Sequence, residues 1–255
     1  MAKIVEFYGS PGVGKSTIYE KLKDKWKKDF NWIPSHLLYT KKKIKLEGLN
    51  KFLLAVVRAI KNGNFDDVEM KEAGDRFVAQ YPEFIDAFWN NILFKQKKSY
   101  NGLDLRFERA KYFYTTIQKI QFLRESNCKK IALVDEGLIH RISRGLYKSE
   151  NLTEEINEIK HLLQIMPLPD ALVYVETDVQ ENAKRLAHRK KVISMHKSLT
   201  LTEIENIIPE TQERMKNVTK ILENKGIPIL RVDAKLNIET NVTKIRSFVE
   251  GLKII

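Results

Sequence analysis

The segment Gly9-Ser10-Pro11-Gly12-Val13-Gly14-Lys15-Ser16 fills every fixed position of the pattern G-x-x-x-x-G-K-[ST], and nothing else in the chain limits its fold so tightly. A loop of this kind turns a series of backbone N–H groups inward around one anion, which takes backbone angles and close approaches that glycine tolerates best. It also needs a fixed platform on either side. Ile4 to Tyr8 is a short β-branched and aromatic run that reads as a buried strand. From Lys15 to Phe30, the residues Ile18, Leu22, Trp26 and Phe30 recur at every fourth position while Lys21, Lys23, Lys25, Lys27 and Lys28 take the other faces, so an amphipathic helix is expected. Strand, glycine loop and helix N-terminus together make a cradle for phosphate. The residues expected to hold the triphosphate of ATP or GTP are Gly9, Ser10, Pro11, Gly12, Val13, Gly14, Lys15, Ser16 and Thr17. Lys15 is expected to bridge the β- and γ-phosphates and Ser16 to ligate Mg2+.

A magnesium ion held by one hydroxyl and two phosphates needs an acidic partner at the strand tips. Ile131 to Val134 is a continuous apolar run that ends in Asp135, Glu136 and Gly137, as expected of a core strand of a parallel sheet with carboxylates at its C-terminal edge. Asp135 is the candidate for the metal site, because a carboxylate there either faces the ligand or is a costly buried charge. For Glu136 two roles stay open: base toward the attacking nucleophile, or placement of the metal's waters. Farther along, Arg185 and Arg189 are four residues apart on one helix face, with Lys190 beside them, where both arginines would neutralise charge developing on a transferring phosphoryl group. A solvated basic helix end is the alternative for that group.

Strand and helix signals alternate over much of the chain. Trp32 to Thr40, Ala171 to Val175 and Ile227 to Val232 read as further strands. Helices are marked by Leu152, Ile156, Ile159 and Leu163, by Val179, Ala183 and Leu186, and by the span from Ile238 to Leu252. Between Thr40 and Lys130 three helical stripes are expected: one of Phe52, Leu53, Val56, Val57 and Ile60, one from Phe84 to Leu93 that includes Trp89, and one from Leu103 to Glu125 that includes Phe107, Phe113 and Tyr114. Thr202 with Glu205 has capping-box spacing, Pro209 is expected to break or restart the helix that follows, and Gly226 with Pro228 beyond it to end that helix. The alternation predicts a three-layer α/β domain with parallel strands, single over residues 1–255, with a helical insertion at about 41–130.

With 43% hydrophobic and 31% charged residues the composition is that of a soluble globular protein, which excludes a disordered or collagen-like chain. The longest apolar run, Phe52 to Val57, is far short of the roughly 20 residues a bilayer-crossing helix needs, so no membrane partner is expected. The chain enters its first strand without signal-peptide features, its single cysteine, Cys128, cannot close an internal disulfide, and no Cys/His cluster has zinc spacing. A cytoplasmic setting is expected. The net charge of +12 is uneven, since residues 1–61 hold 14 Lys and Arg against 5 Asp and Glu, a net of +9. Positive potential suits an enzyme that handles anions as well as a nucleic-acid binder, and no aromatic residues are interleaved with these lysines in a stacking pattern. Nucleic acid is therefore the lesser alternative as a partner.

Taken together, these residues resemble the nucleoside and nucleotide kinases among P-loop proteins, with thymidylate kinase and the deoxynucleoside kinases nearest. The resemblance spans nearly the whole chain: Leu133-Val134-Asp135-Glu136-Gly137 resembles the acidic strand tip, Val173 to Asp178 followed by Lys184 to Arg189 resembles the strand and helix leading to an arginine lid, and Leu230-Arg231-Val232-Asp233-Ala234 is similar to the closing strand with its adenine-contacting loop. It implies a P-loop NTPase fold with a five-stranded parallel sheet in the order 2-3-1-4-5, a lid at about 185–202, and transfer of a γ-phosphoryl group from ATP to a small acceptor. Arg109, in Leu105-Arg106-Phe107-Glu108-Arg109-Ala110, matches a substrate-contacting helix, and Arg141 is the second candidate on that side. Tyr8 and Pro11 stand where thymidylate kinases carry acids, so the acceptor itself, whether nucleoside, nucleotide or sugar, is left open. A nucleotide-hydrolysing switch or nucleic-acid-linked ATPase is the competing function, with Asp135 and Glu136 activating water. The oligomeric state cannot be read from the sequence.

Overall fold

Side chains alternate across a strand, so Ile4, Glu6 and Tyr8 must leave β1 (Ile4–Tyr8) on one face and Val5 and Phe7 on the other. All five positions are buried, which is possible only if helices cover both faces. The computed structural model, which describes residues 2–39, 65–95, 104–143, 152–188 and 201–252, has this three-layer form. Around β1 lie β2 (Trp32–Pro34), β3 (Ile131–Val134), β4 (Ala171–Glu176) and β5 (Ile229–Asp233), in the order β2-β3-β1-β4-β5. Every pairing is parallel, with Glu6 in register between Val134 and Leu172. The fold class and strand order are as expected from the sequence.

One face of the sheet is covered by α1 (Lys15–Asp24) and the C-terminal helix α10 (Ile238–Gly251), which bury Ile18, Leu22, Val242, Ile245 and Val249 against Val5, Phe7 and Val173. The other face carries a larger apolar layer. Its helices, in chain order, include α3 (Phe65–Gln80), α4 (Pro82–Asn90), α5 (Arg106–Glu125), α6 (Leu138–Ser143), α7 (Leu152–Ile165) and α9 (Leu201–Asn224); the four-residue turn α2 (His36–Tyr39) follows β2. Phe84, Phe88, Phe113, Ile117, Leu162 and Met215 pack there against Ile4, Tyr8 and Leu172. The remaining helix, α8 (Val179–Ala187), packs Ala183 and Leu186 on Ile204 and Ile208 of α9.

Several local expectations change. The first helix ends at Asp24 instead of Phe30; Trp26 and Phe30 pack from the following turns, where Trp26 Nε1 donates to the Trp32 carbonyl at 2.7 Å and Phe30 lies on Trp32. The second strand stops at Pro34, which brings no N–H to a ladder, and the chain turns into α2 instead of continuing to Thr40. Helix α3 escaped the sequence reading because Ala73, Gly74 and Phe77 are its only buried side-chain positions among those described, too few to print an apolar stripe. Gly74 is there for close packing: a Cβ would sit 2.7 Å from Gln118 Cγ of α5. In the expected stripes, Trp89, Leu93, Phe107 and Tyr114 are exposed, and Tyr114 meets Gly74 and Asp75 of α3. The stretch after α4 is a π-helical turn, Asn91–Lys95.

Helix α9 runs unbroken through Pro209, correcting the expected break. Ile204, Ile208, Met215, Val218 and Leu222 are buried along its length, so packing on both sides of the proline outweighs one lost backbone bond. Leu201 already belongs to it, which puts Thr202 inside the first turn and not at the cap. Its end is as read: Gly226 has φ 78° and the Ile227 N–H bonds back to the Leu222 carbonyl at 3.1 Å. The stripe at Phe52–Ile60 lies outside the described residues.

The closest ring contact of the larger layer is the stack of Phe88 on Phe113, with centroids 3.5 Å apart. Phe88→Ala is expected to cost about 3–5 kcal/mol, read from urea unfolding by circular dichroism. A loss below about 1 kcal/mol would mean that the helices between β2 and β3 do not depend on this contact.

Candidate active site

The glycine loop occupies the C-terminal end of β1, and its shape is set by what lies beneath it. A Cβ on Gly9 would stand 2.4 Å from the Val175 carbonyl of β4, and one on Gly12, whose φ is 81°, would stand 2.9 Å from Leu186 Cβ of α8. No larger residue fits either place without moving backbone. Helix α8 braces the loop from outside. Its buried Asn182 accepts from the Ser10 hydroxyl and donates to the Pro11 carbonyl at 2.6 Å, while Gln212 of α9 donates to Asn182 Oδ1 at 3.2 Å and to the Thr177 carbonyl at 3.1 Å. Neither Asn182 nor Gln212 stood out in the sequence, because a polar residue on an amphipathic helix reads as solvated until its burial is known.

A cleft of about 430 Å3 opens above the loop, bordered by Ser10 to Ile18, Glu136, Arg185 and the turn that joins β5 to α10. Lys15 is only 6% exposed and its Nζ lies 3.7 Å from Glu136 Oε1. Glu136 is a meeting point of basic side chains. Arg141 Nη2 is 3.2 Å from Oε2, and His140 Nε2 is 3.4 Å from Oε1. Arg141 also donates from Nε to the Thr116 hydroxyl at 3.1 Å and lies over the Tyr112 ring, so α5 and α6 fix it together. Thr116 and Tyr112 lie within the helix expected from Leu103 to Glu125 but are not among its apolar stripe, so nothing in the sequence singled them out.

Asp135 does not border the cleft. Its carboxyl is raised above the usual range by burial, an effect opposed by the Lys15 charge and by a hydrogen bond from the Ser16 hydroxyl. Among the described residues Asp135 Oδ1 has no hydrogen-bond partner. A hydroxyl beside a buried carboxylate with an unused oxygen is an all-oxygen donor set suited to Mg2+ that also takes ligands from phosphate and water. Among the described residues no group of three or more His, Cys, Asp or Glu side chains is arranged to hold a metal by itself.

Arg185 sits in the last turn of α8 and is engaged on three sides. It donates to Glu181 Oε1 at 2.6 Å, to the Val13 carbonyl at 3.1 Å and to the Ala234 carbonyl at 3.2 Å, tying the loop to the β5–α10 turn. Helix α8 ends at Ala187, and Arg189, with most of the expected lid, lies outside the described residues. Asp178 caps α8 by accepting from the Glu181 N–H at 2.7 Å and pairs with Lys235, which holds its carboxyl below the usual range. Arg109 is half-buried in the first turn of α5, and burial lowers its guanidinium.

Glu6 is the residue the sequence reading passed over. It stands in an apolar strand at 1% exposure and accepts the N–H of Ile139 at 3.2 Å and of His140 at 2.7 Å. Burial pushes its carboxyl up to about 7, against the pull of the His140, Ile139 and Gly137 N–H groups and the Arg141 charge. A lone acid in the middle of an apolar run was the available signal.

No family model matches the sequence, and no curated protein is similar enough in sequence to match. Among solved structures the chain is similar to deoxyadenosine kinase from M. mycoides with dCMP and a flexible dCDP bound, at TM-score 0.51 and 11% identity over 98% of this chain and 100% of that one. It is also similar to deoxyadenosine kinase from M. mycoides with dCTP bound, at TM-score 0.47 and 12% identity over 98% of this chain and 100% of that one. The first likeness shows a shared fold, a five-stranded parallel sheet between helical layers as in that deoxyadenosine kinase. Among the described residues no helix is long and apolar enough to cross a membrane.

The folded protein keeps the Glu6 proton up to a pH of about 7, whereas the ordinary glutamate value is 4.5. The stability this gives is therefore complete below the ordinary value and is lost as pH rises through about 7. Glu6→Gln should remove that segment of the pH dependence, so that the wild-type advantage in urea midpoint shrinks between about pH 5 and about pH 8. Parallel curves for the two proteins across that range would refute the assignment.

Proposed function

We propose that the chain is a phosphotransferase that binds ATP in the glycine loop and moves the γ-phosphoryl group to a hydroxyl of a small acceptor of nucleoside type. The observation that carries this reading is the buried Lys15 ammonium facing Glu136 across one cleft with the glycine loop. The shared fold with a deoxyadenosine kinase, whose structure holds dCMP and dCDP, favours a nucleoside acceptor over a sugar.

In this reading the loop N–H groups from Ser10 to Ser16 hold the β-phosphate, and Lys15 exchanges its contact with Glu136 for β- and γ-phosphate oxygens. Ser16 and Asp135 are the residues that would hold Mg2+, which when bound draws negative charge from the phosphate oxygens. The acceptor hydroxyl attacks the γ-phosphorus in line, a new P–O bond forms as the β,γ-bridging P–O bond breaks, and ADP leaves. Glu136, held in place by Arg141 and His140, orients that hydroxyl and takes its proton. In the same reading Arg109 and Arg141 serve the acceptor and Arg185 the phosphoryl group, which keeps water out, a task that the sequence also assigns to Arg189. Transfer to an acceptor is favoured over hydrolysis because most of the described chain between β2 and β3 builds a helical layer beside the Glu136 end of the cleft, with Arg141 bridging from α6 to α5.

Three measurements bear on the proposal. Lys15→Ala is expected to lower acceptor-dependent ADP release by about 10²–10³-fold with secondary structure unchanged, and a near wild-type rate would remove the loop from the chemistry. A panel of nucleosides, nucleotides, sugars and nucleic acids, each offered with ATP and Mg2+, should yield a phosphorylated nucleoside. Turnover stimulated by nucleic acid alone would favour the ATPase reading instead. Arg185→Ala should slow transfer more than it weakens ATP binding; equal losses would make Arg185 a binding residue only.

A further inference from the structure

We infer that Glu6 is a positioning residue for the Asp135–Gly137 turn, and through it for the magnesium side of the triphosphate site. The inference rests on the nucleotide-binding reading above and adds to it a residue outside the cleft.

Strand alternation places Glu6 on the same face of β1 as Ile4 and Tyr8, both part of the larger apolar layer. A carboxylate in such a place is costly unless its oxygens are bonded. Here the sheet register supplies the partners. Glu6 lies beside Val134, the last residue of β3, so its side chain reaches the backbone just beyond that strand. Its two oxygens take the N–H groups of Ile139 and His140, and a third bond comes from Gly137. Gly137 precedes α6 and has no side chain to satisfy these donors, so the cap comes from another strand. The contact is close on both sides: a Cβ on Gly137 would lie 2.4 Å from Glu6 Oε2 and 2.6 Å from Cδ.

Two side chains depend on the turn held in this way. Asp135 receives the Ser16 hydroxyl bond, and Glu136 meets Lys15, His140 and Arg141. A helix cap alone would stabilise α6 and leave the metal response of nucleotide binding unchanged. A positioning residue changes that response, because Asp135 moves with the turn while the glycine loop, braced separately by Asn182, stays.

The test is the affinity of the full chain for MANT-ATP, a fluorescent ATP analogue, measured at about pH 8 with EDTA and again with Mg2+, for wild type, Glu6→Gln and Gly137→Ala. The wild type is expected to bind more tightly with the metal. Both variants should keep the metal-free affinity within about twofold and lose about tenfold or more of the gain that Mg2+ brings, the range found when groups supporting a metal ligand are removed. With Glu6→Ala measured alone as well, the double variant Glu6→Ala with Gly137→Ala leaves space for the added methyl, so the effects of these two substitutions should fall short of additive. If Glu6→Gln fails to fold by circular dichroism, Gly137→Ala decides. A full Mg2+ gain in the folded variants overturns the inference, as does an equal loss of affinity with and without metal, which marks a purely structural cap. A wild-type chain that binds no MANT-ATP under either condition defeats the nucleotide reading itself.

Discussion

An ammonium that is nine-tenths buried must have a carboxylate within reach, and the pairing of Lys15 with Glu136 dictates much of the remaining geometry. Lys15 starts the helix after β1 and Glu136 follows β3, so the contact requires these strands to be parallel neighbours with their C-terminal ends level. That requirement forces the connection between them to cross over through helices, because parallel strands cannot be joined by a tight turn. It also leaves a crevice beyond the strand ends that both groups border.

Two supports hold this crevice, and they are independent of each other. The glycine loop is braced from the β4 side by Asn182 and Gln212 and closed by Arg185, while the acidic turn is held from below by Glu6. Each support is a buried polar group that bonds backbone at the site, Asn182 to the Pro11 carbonyl and Glu6 to the His140 N–H, so each exchanges a desolvation cost for a defined geometry. The apolar layers on both sides of the sheet set the strand positions, and these few polar contacts then aim the loop and the turn.

The glycine loop, the amphipathic α1, the apolar strands and the Asp135–Glu136 tip were legible because each rests on local spacing: glycines at fixed intervals, apolar residues at a period of four or in unbroken runs, acids directly after a core strand. Elements with few inward residues were not legible. Helix α3 turns only Ala73, Gly74 and Phe77 inward among its described side chains, and α9 continues through Pro209 because of partners far away in sequence. The apolar repeat at Trp26 and Phe30 suggested a longer α1, yet the same residues are partly buried against the core from the turns after it, since burial rewards position and not secondary structure.

The sequence by itself determined the parallel strands and a glycine loop from Gly9 to Ser16 between strand and helix, because these rest on the spacing of neighbouring residues along the chain, while the resemblance implied the strand order that the sheet has. Only the tertiary structure decided that Glu136 gathers Lys15, His140 and Arg141, that Arg185 engages the Val13 and Ala234 carbonyls, and that Glu6 holds the Gly137 turn. Several of these contacts join residues more than 100 positions apart, and a buried polar side chain looks the same in sequence as a solvated one until packing removes the water around it.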